Sequence, residues 1–325
     1  MIYIPKLAYC SSGRSAKTHA NTTEPIEWFS NNYLGKAFFT LNFDFFISWG
    51  QTNFLSNEFW VKRNINRAEF AERFESVWPC TDIQLLQTAL EDCEGKEFLV
   101  NYGKFANSLD FKARYQVFID SRDWAKYPAK FVTVDIDANG NIENVIKQDL
   151  SSIKSEIQRL SGGKVKVSKT YGLKVASTNL ECYLSNTDED EAAWPGDVDL
   201  LLFDNNERPI AIIEFKKNTI EPGRPYHRSI HNESLNNYYS ATGRADDNRK
   251  YNRIAILRNY LDKDIPIINL YYPIWEAKDP KENVIKLEKV TGNVGNLEAV
   301  EVKILPVPYT PIEKVNVVHA VLNML

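Results

Sequence analysis

Two acidic residues and a lysine stand beside two apolar runs in the segment 194–217. Asp199 directly precedes the first run, whereas Glu214 and Lys216 come at the end of the second. The turn sequence DNNERP, residues 204–209, separates the runs and predicts a β-hairpin. Antiparallel pairing brings the start of one strand beside the end of the next. We therefore expect the two carboxylates and the ammonium group at one edge of a sheet.

Carboxylates held this close together repel each other, and each loses hydration when it is buried. A divalent cation removes both costs, and hard oxygen ligands suit Mg²⁺ or Mn²⁺. Such a cation lowers the pKa of a bound water, which can act as nucleophile, and stabilises charge on a phosphoryl group. Lys216 can orient or help to deprotonate that water, or balance charge on the phosphate. This set of residues therefore predicts hydrolysis of phosphodiester bonds.

The pattern resembles the PD-(D/E)XK nuclease superfamily, which includes many restriction endonucleases, junction resolvases and exonucleases. That family places an acid at the start of one core strand and (D/E)-x-K at the end of the next, as Asp199 and the triplet 214–216 would stand here. The resemblance implies an α/β fold with a restriction endonuclease-like αβββαβ core, a mixed central sheet flanked by helices. It also implies that Asp199 and Glu214 bind Mg²⁺, for which Mn²⁺ can substitute, and that Lys216 is the catalytic lysine.

Two further acids are accessory candidates on the same resemblance. The family often adds a glutamate from the first core helix, and Glu156 stands there. The PD pair is split in the sequence PGDVD, residues 195–199, so that Asp197 or Asp199 could be the ligand. Asp199 is favoured because it directly precedes the apolar run. Some exonuclease branches carry Q-x-x-x-Y on the next helix, and Ser234 replaces the glutamine of the nearest match, which argues against that branch.

Basic residues are concentrated after the second apolar run, although the whole chain has a net charge of -4. Between residues 216 and 253 there are eight lysines and arginines and four acids. Basic groups beside a metal site favour phosphate binding, although a solvated helix face is the alternative interpretation. The predicted partner is a nucleic acid, with DNA favoured over RNA, and the predicted contacts are Lys217, Arg224, Arg228, Arg249 and Lys250.

The length of 325 residues is typical of about two domains. We expect an additional N-terminal α+β domain, residues 1–147, for recognition of a substrate or partner. The nuclease core would occupy residues 148–280, and C-terminal strands in residues 281–325 would pack on the core. No internal repeat is visible in the sequence.

Periodicity and turn residues predict the individual elements. Helices are expected over residues 66–79, 82–93, 149–163, 233–241 and 245–261, and a strand pair over 36–50. Further strands are expected from residues 164 and 180, over 265–273, and as a C-terminal pair with its turn at TGNVGN.

The sequence DIDANGN, residues 135–141, copies the front half of a calcium-binding EF-hand loop. The twelfth position of such a loop requires a bidentate acid, and Ile146 stands there. A β-hairpin that turns at Asn139-Gly140 accounts for the same residues, because this dipeptide readily adopts positive φ. The hairpin is therefore the prediction.

Other features bound the class of protein. The four cysteines are far apart and form no zinc or disulfide pattern. Neither a signal peptide nor a stretch long enough to span a membrane is recognisable, so a cytoplasmic location is expected. A homodimer is compatible with cutting two strands.

Two rival hypotheses are a nuclease that acts on RNA under control of a ligand in the first domain, and a non-catalytic nucleic-acid-binding module that retains the fold.

Overall fold

The computed structural model describes residues 24–48, 54–64, 80–118, 131–163, 195–218, 228–242, 248–273 and 279–325. Over these ranges the chain is α/β: the strands form mixed β-sheet, with both parallel and antiparallel pairs, and helices flank them. They form two compact units. The first runs from Phe43 to Asp197, and the second combines residues 24–42 with 198–325. Within the described residues, no helix has both the length and the apolar character needed to cross a membrane.

The first unit is a mixed sheet in the strand order β1-β2-β3-β4-β5. Strand β2 is antiparallel to β1 and parallel to β3, and β3, β4 and β5 are successively antiparallel. Two helices, α3 and α4, fill the connection that a parallel pair requires. The elements are β1 (Phe38–Ser48), β2 (Phe54–Asn64), α3 (Ile83–Glu94), α4 (Lys96–Ser108), β3 (Lys112–Phe118), β4 (Phe131–Ile136), β5 (Ile142–Gln148) and α5 (Leu150–Leu160).

The second unit has strands in the order β6-β7-β8-β9-β10. Strands β6 and β7 form the predicted antiparallel hairpin, β7 is parallel to β8, and β9 and β10 follow as an antiparallel pair. The elements are α1 (Pro25–Trp28), α2 (Asn31–Leu34), β6 (Gly196–Asp204), β7 (Pro209–Asn218), α6 (Asn248–Leu261), β8 (Ile267–Pro273), β9 (Val284–Asn293), β10 (Asn296–Pro306) and α7 (Pro311–Leu322).

The two units share one order of elements that no repeat in the sequence revealed. Each has an antiparallel hairpin, a helical connection to a strand parallel to the second hairpin strand, two further antiparallel strands and a closing helix. The chemistry is repeated only in part: in the first unit Asp44 stands opposite Trp60 across the hairpin and contacts Lys62, but the end of β2 has no glutamate. The last residues of β2 are Trp60-Val61-Lys62-Arg63-Asn64, whereas the matching strand β7 carries Glu214-Phe215-Lys216. An acid-x-lysine triplet therefore ends only the hairpin of the second unit.

Several predicted elements are confirmed, with the local signals that predicted them. The side chains of Asp82 and Asp149 cap α3 and α5 by accepting N–H groups of the first turn. Strands β4 and β5 form the hairpin, and Gly140 adopts a φ of 78° in its turn. The C-terminal hairpin and the strand at 267–273 also form as expected.

Two predicted elements are wrong. Residues 36–50 were expected to hold a strand pair, but β1 is one continuous strand of 11 residues, because no Gly or Pro interrupts the run from Phe38 to Ser48. Residues 233–241 were expected to be a helix, but they contain only a short 3-10 turn, Leu235–Asn237. The Glu233 carbonyl, which would accept the first hydrogen bond of that helix, instead accepts one from the Lys286 ammonium group, and the Asn237 N–H group binds the Ser234 carbonyl. The helix predicted at 66–79 and the strands predicted from 164 and 180 lie outside the described residues.

The compact units divide the chain at different positions from the predicted domains. Helix α5, expected to open the nuclease core, belongs to the first unit because its apolar face packs on that sheet. The Ser56 hydroxyl on β2 also donates to the Leu160 carbonyl at the end of α5, 2.5 Å away. The core beneath this helix comprises Phe46, Trp60, Phe118, Phe131, Ile153, Ile157 and Leu160. Residues 281–325 lie in the second unit, where β9 pairs with β8.

Gly103 allows α4 to pack directly on the β4–β5 hairpin. A Cβ atom at this position would lie 1.8 Å from the backbone oxygen of Asp137. We expect Gly103→Ala to lower the free energy of unfolding by at least about 2 kcal/mol, because backbone must shift to admit the methyl group. Helix propensity alone would predict stabilisation by about 1 kcal/mol, so urea denaturation distinguishes the two effects by sign.

Asn107→Ala is the control, since Asn107 is exposed on the same helix. It should change stability by less than about 0.5 kcal/mol. A Gly103→Ala protein as stable as the wild type would contradict the contact between α4 and the hairpin.

Candidate active site

The β6–β7 hairpin places the two predicted acids side by side. The ladder pairs Leu200 with Ile213, so Asp199 and Glu214 occupy the adjoining position on the two strands. The Asp199 carboxylate accepts a hydrogen bond from the backbone N–H of Phe215, with an O···N distance of 2.7 Å. The Glu214 side chain is buried, with 1% exposed. The structure therefore brings a fixed and a buried carboxylate together at the hairpin end.

Two lysines contact the Glu214 carboxylate. The Lys216 Nζ lies 3.2 Å from Glu214 Oε1, and the Lys250 Nζ, from the first turn of α6, lies 2.5 Å from the same oxygen. Lys216 is also buried, with its Nζ 4.9 Å from the ring centre of Tyr238 and 5.0 Å from that of Tyr251. Ring faces stabilise a desolvated ammonium group. Glu214 is thus held in a cationic setting that offsets its burial.

Polar side chains continue from Glu214 and Lys216 across the neighbouring strands. In the parallel register, Glu214 pairs with Asn269 and Lys216 pairs with Tyr271. In the next, antiparallel register, Asn269 pairs with Glu288 and Tyr271 with Lys286. Residues paired in this way project from the same face of a sheet. The six side chains form two buried polar rows: Glu214, Asn269 and Glu288, and then Lys216, Tyr271 and Lys286.

A chain of hydrogen bonds connects these rows to α6. Tyr251 donates to Asn269 Oδ1 at 2.8 Å, and Asn269 donates to the Tyr271 oxygen at 3.2 Å. Tyr271 donates to Glu288 Oε2 at 2.7 Å. Burial, reinforced by neighbouring Tyr251 and Glu288, raises the pKa of Tyr271, which keeps it protonated as a donor. The network joins α6, β8 and β9 and so fixes the helix that carries Lys250.

The segment before α6 positions Tyr238 over Lys216. Glu233, which is buried, accepts hydrogen bonds from Asn218 and from the Tyr238 hydroxyl, both at 3.0 Å. The Lys286 ammonium group donates to the Glu233 carbonyl. Burial, followed by the charge of Glu233, raises the pKa of Tyr238. The aromatic ring is thereby held against the lysine by bonds to β7 and β9.

The remaining predicted residues lie in different surroundings. In the first unit, Glu156 pairs with Arg114 at 3.0 Å. Burial raises the pKa of Asp44, and the negative charge of Asp197 raises it further. Among the predicted nucleic-acid contacts, Lys217 and Arg249 are exposed.

Two further arginines were predicted to contact nucleic acid. Arg228 pairs with Glu233 at 3.6 Å. Arg224 lies outside the described residues.

Sequence reasoning predicted Lys250 as a nucleic-acid contact, without its contact to Glu214, and missed the polar rows altogether. Polar residues at a period of two inside apolar strands were the available signal: Asn269 and Tyr271 in IINLYYP, and Lys286 and Glu288 in VIKLEKV. Their connection to Glu214 depends on the registers of three strands. That information is not local in the sequence.

The carboxylates of Asp199 and Glu214 are candidate ligands for Mg²⁺. Asp199 and Glu214 offer hard oxygen donors at adjoining positions, and Mg²⁺ is commonly bound through one or two carboxylates together with waters and substrate phosphates. Nowhere in the described parts of the chain do three or more His, Cys, Asp or Glu side chains group to hold a metal ion. The two acids therefore fit a cation that keeps most of its water.

The Tyr271 hydroxyl gives a test of the polar rows. Tyr271→Phe should lower the free energy of unfolding by about 1–3 kcal/mol, because the buried Glu288 carboxylate loses a donor. Tyr272→Phe is the matched control. Tyr272 is also buried but donates only a long hydrogen bond to Glu24, at 3.4 Å, and should cost less than about 1 kcal/mol. Equal losses in chemical denaturation would contradict a network centred on Tyr271.

No protein-family model, curated protein or solved structure matches the chain. A function can therefore be inferred only from the geometry of this second-unit site. The features available are a buried carboxylate, an adjoining aspartate, two lysines and a rigid polar support.

Proposed function

We propose that the protein is a metal-dependent nuclease of the PD-(D/E)XK type, which hydrolyses phosphodiester bonds in DNA. The observation that carries this proposal is the setting of Glu214. Its buried carboxylate adjoins Asp199 across the hairpin and contacts Lys216 two residues further along the strand. A buried acid is costly, and functional sites are where such costs are commonly found.

Each side chain has a role that follows from its position. Asp199 and Glu214 would hold a Mg²⁺ ion, which, when bound, lowers the pKa of a water and stabilises charge on the phosphoryl group. The hydrogen bond from Phe215 orients the Asp199 carboxylate. Lys216, fixed by Tyr238 and Tyr251, is positioned to orient the attacking water or to neutralise the phosphate.

The restriction endonuclease-like core is part of the same proposal. The described portion of the second unit contributes β6, β7, α6 and β8, in the order strand, strand, helix and strand. This order, with the antiparallel and parallel pairings around β7, supports the last four elements of an αβββαβ core. The exposed side chains of Lys217 and Arg249, with Arg228 and Lys250, supply positive charge for the phosphate backbone.

A cleavage assay tests this function. Purified protein would be incubated with plasmid, linear duplex DNA, single-stranded DNA and RNA, in Mg²⁺, Mn²⁺ or EDTA. We expect metal-dependent cutting of DNA and a loss of at least about 100-fold in rate for Glu214→Gln and for Lys216→Met, since both act at the reacting phosphate. Glu298→Gln and Lys263→Met make the same chemical changes at exposed positions and should retain activity.

The outcomes separate the hypotheses. Cutting of RNA alone would replace the DNA nuclease by an RNA nuclease. Binding of nucleic acid without cutting, and without bound Mn²⁺, would favour a non-catalytic module. Cutting that persists in Glu214→Gln would move the active site elsewhere.

A further inference from the structure

The two lysines that contact Glu214 differ in burial and in their neighbours. Lys216 is only 7% exposed and lies close to two aromatic rings. Lys250 is 26% exposed and reaches Glu214 from the first turn of α6. Its neighbour Arg249 is exposed, whereas Tyr251 in the same turn is buried. Lys250 is therefore more accessible to water than Lys216.

The charges at the site constrain which groups can be present together. Asp199 and Glu214 carry two negative charges, which Lys216 and Lys250 balance. A divalent cation on the two carboxylates would leave an excess of two positive charges beside a buried oxygen. Repulsion between like charges at such separations is large where water is excluded. Release of one ammonium group from Glu214 would relieve this repulsion.

We propose that Lys250 is a displaceable counter-ion that neutralises Glu214 in the metal-free protein and turns toward substrate phosphate when a divalent cation binds. This inference rests on the proposed nuclease function and assigns Lys250 a positioning role in the regulation of that site. Lys250 competes with the cation for Glu214. Because coupling between two binding events is reciprocal, a phosphate that attracts Lys250 also strengthens binding of the cation.

Calorimetric titration with Mn²⁺ alone, without nucleic acid, tests the competition. Lys250→Gln should bind Mn²⁺ about fivefold more tightly than the wild type, because the competing ammonium group is removed. Lys263→Gln makes the same change at an exposed position after α6 and should leave the affinity unchanged. A merely structural role for Lys250 would move the affinity in the opposite direction, since loss of local structure weakens a metal site.

A second measurement uses the wild-type protein and does not depend on the folding of a variant. The rate at which an amine-reactive acetylating reagent modifies each lysine would be followed by mass spectrometry. Modification of Lys250 should become at least about threefold faster at saturating Mn²⁺, which reports its release from Glu214. Lys216 should remain slow, and in Glu214→Gln the modification of Lys250 should be fast without metal.

Two results would overturn this inference alone: Mn²⁺ affinity in a folded Lys250→Gln protein that is equal to or weaker than wild type, or labelling of Lys250 that does not respond to Mn²⁺ while the metal binds. Failure of the wild type to bind Mn²⁺ at all would instead remove the proposed function together with the inference. Calorimetry on the wild type thus distinguishes the two failures.

Discussion

Burial of the Glu214 carboxylate is the constraint around which the second unit is organised. An ionised carboxylate removed from water costs several kcal/mol unless charges and hydrogen-bond donors replace its hydration. Lys216 and Lys250 supply the charges, from the strand that carries Glu214 and from the helix that follows it. The sheet, the helix and the segment between them must therefore meet at one position. In the proposed function, a divalent cation takes the place of one of these lysines.

Hydrogen bonds among the polar rows hold the sheet, helix α6 and the segment between them together at Glu214. Tyr251 on α6 is bonded through Asn269 to Tyr271 and Glu288, and Glu288 also binds the backbone of Leu235. Fully connected buried networks of this kind specify a single arrangement of the elements that they join. The first unit has the same order of elements, but its second hairpin strand ends in Trp60-Val61-Lys62-Arg63-Asn64. One topology thus occurs with and without the acid-x-lysine end.

Much of this organisation could be predicted from the sequence, and the limits have a physical cause. Strands β6 and β7, their turn and the adjoining positions of Asp199 and Glu214 depend on alternation and turn residues a few positions apart. Local rules failed where distant groups compete. The Lys286 ammonium group, 53 residues from Glu233, binds the Glu233 carbonyl that would accept the first hydrogen bond of the helix expected over residues 233–241. The contact between Lys250 and Glu214 requires the placement of α6 on the sheet. The shared topology of the units leaves only short likenesses in the sequence, such as Lys-Arg-Asn at the end of β2 and Lys-Lys-Asn at the end of β7.

The most direct test of the central claim is a crystal structure of the protein soaked in Mn²⁺, with anomalous diffraction data collected to locate the ion. We expect an anomalous peak at roughly 2.0–2.3 Å from carboxylate oxygens of both Asp199 and Glu214, with the Lys250 Nζ withdrawn from Glu214. A site that remains without a peak at saturating Mn²⁺, with both lysines still on Glu214, would contradict it.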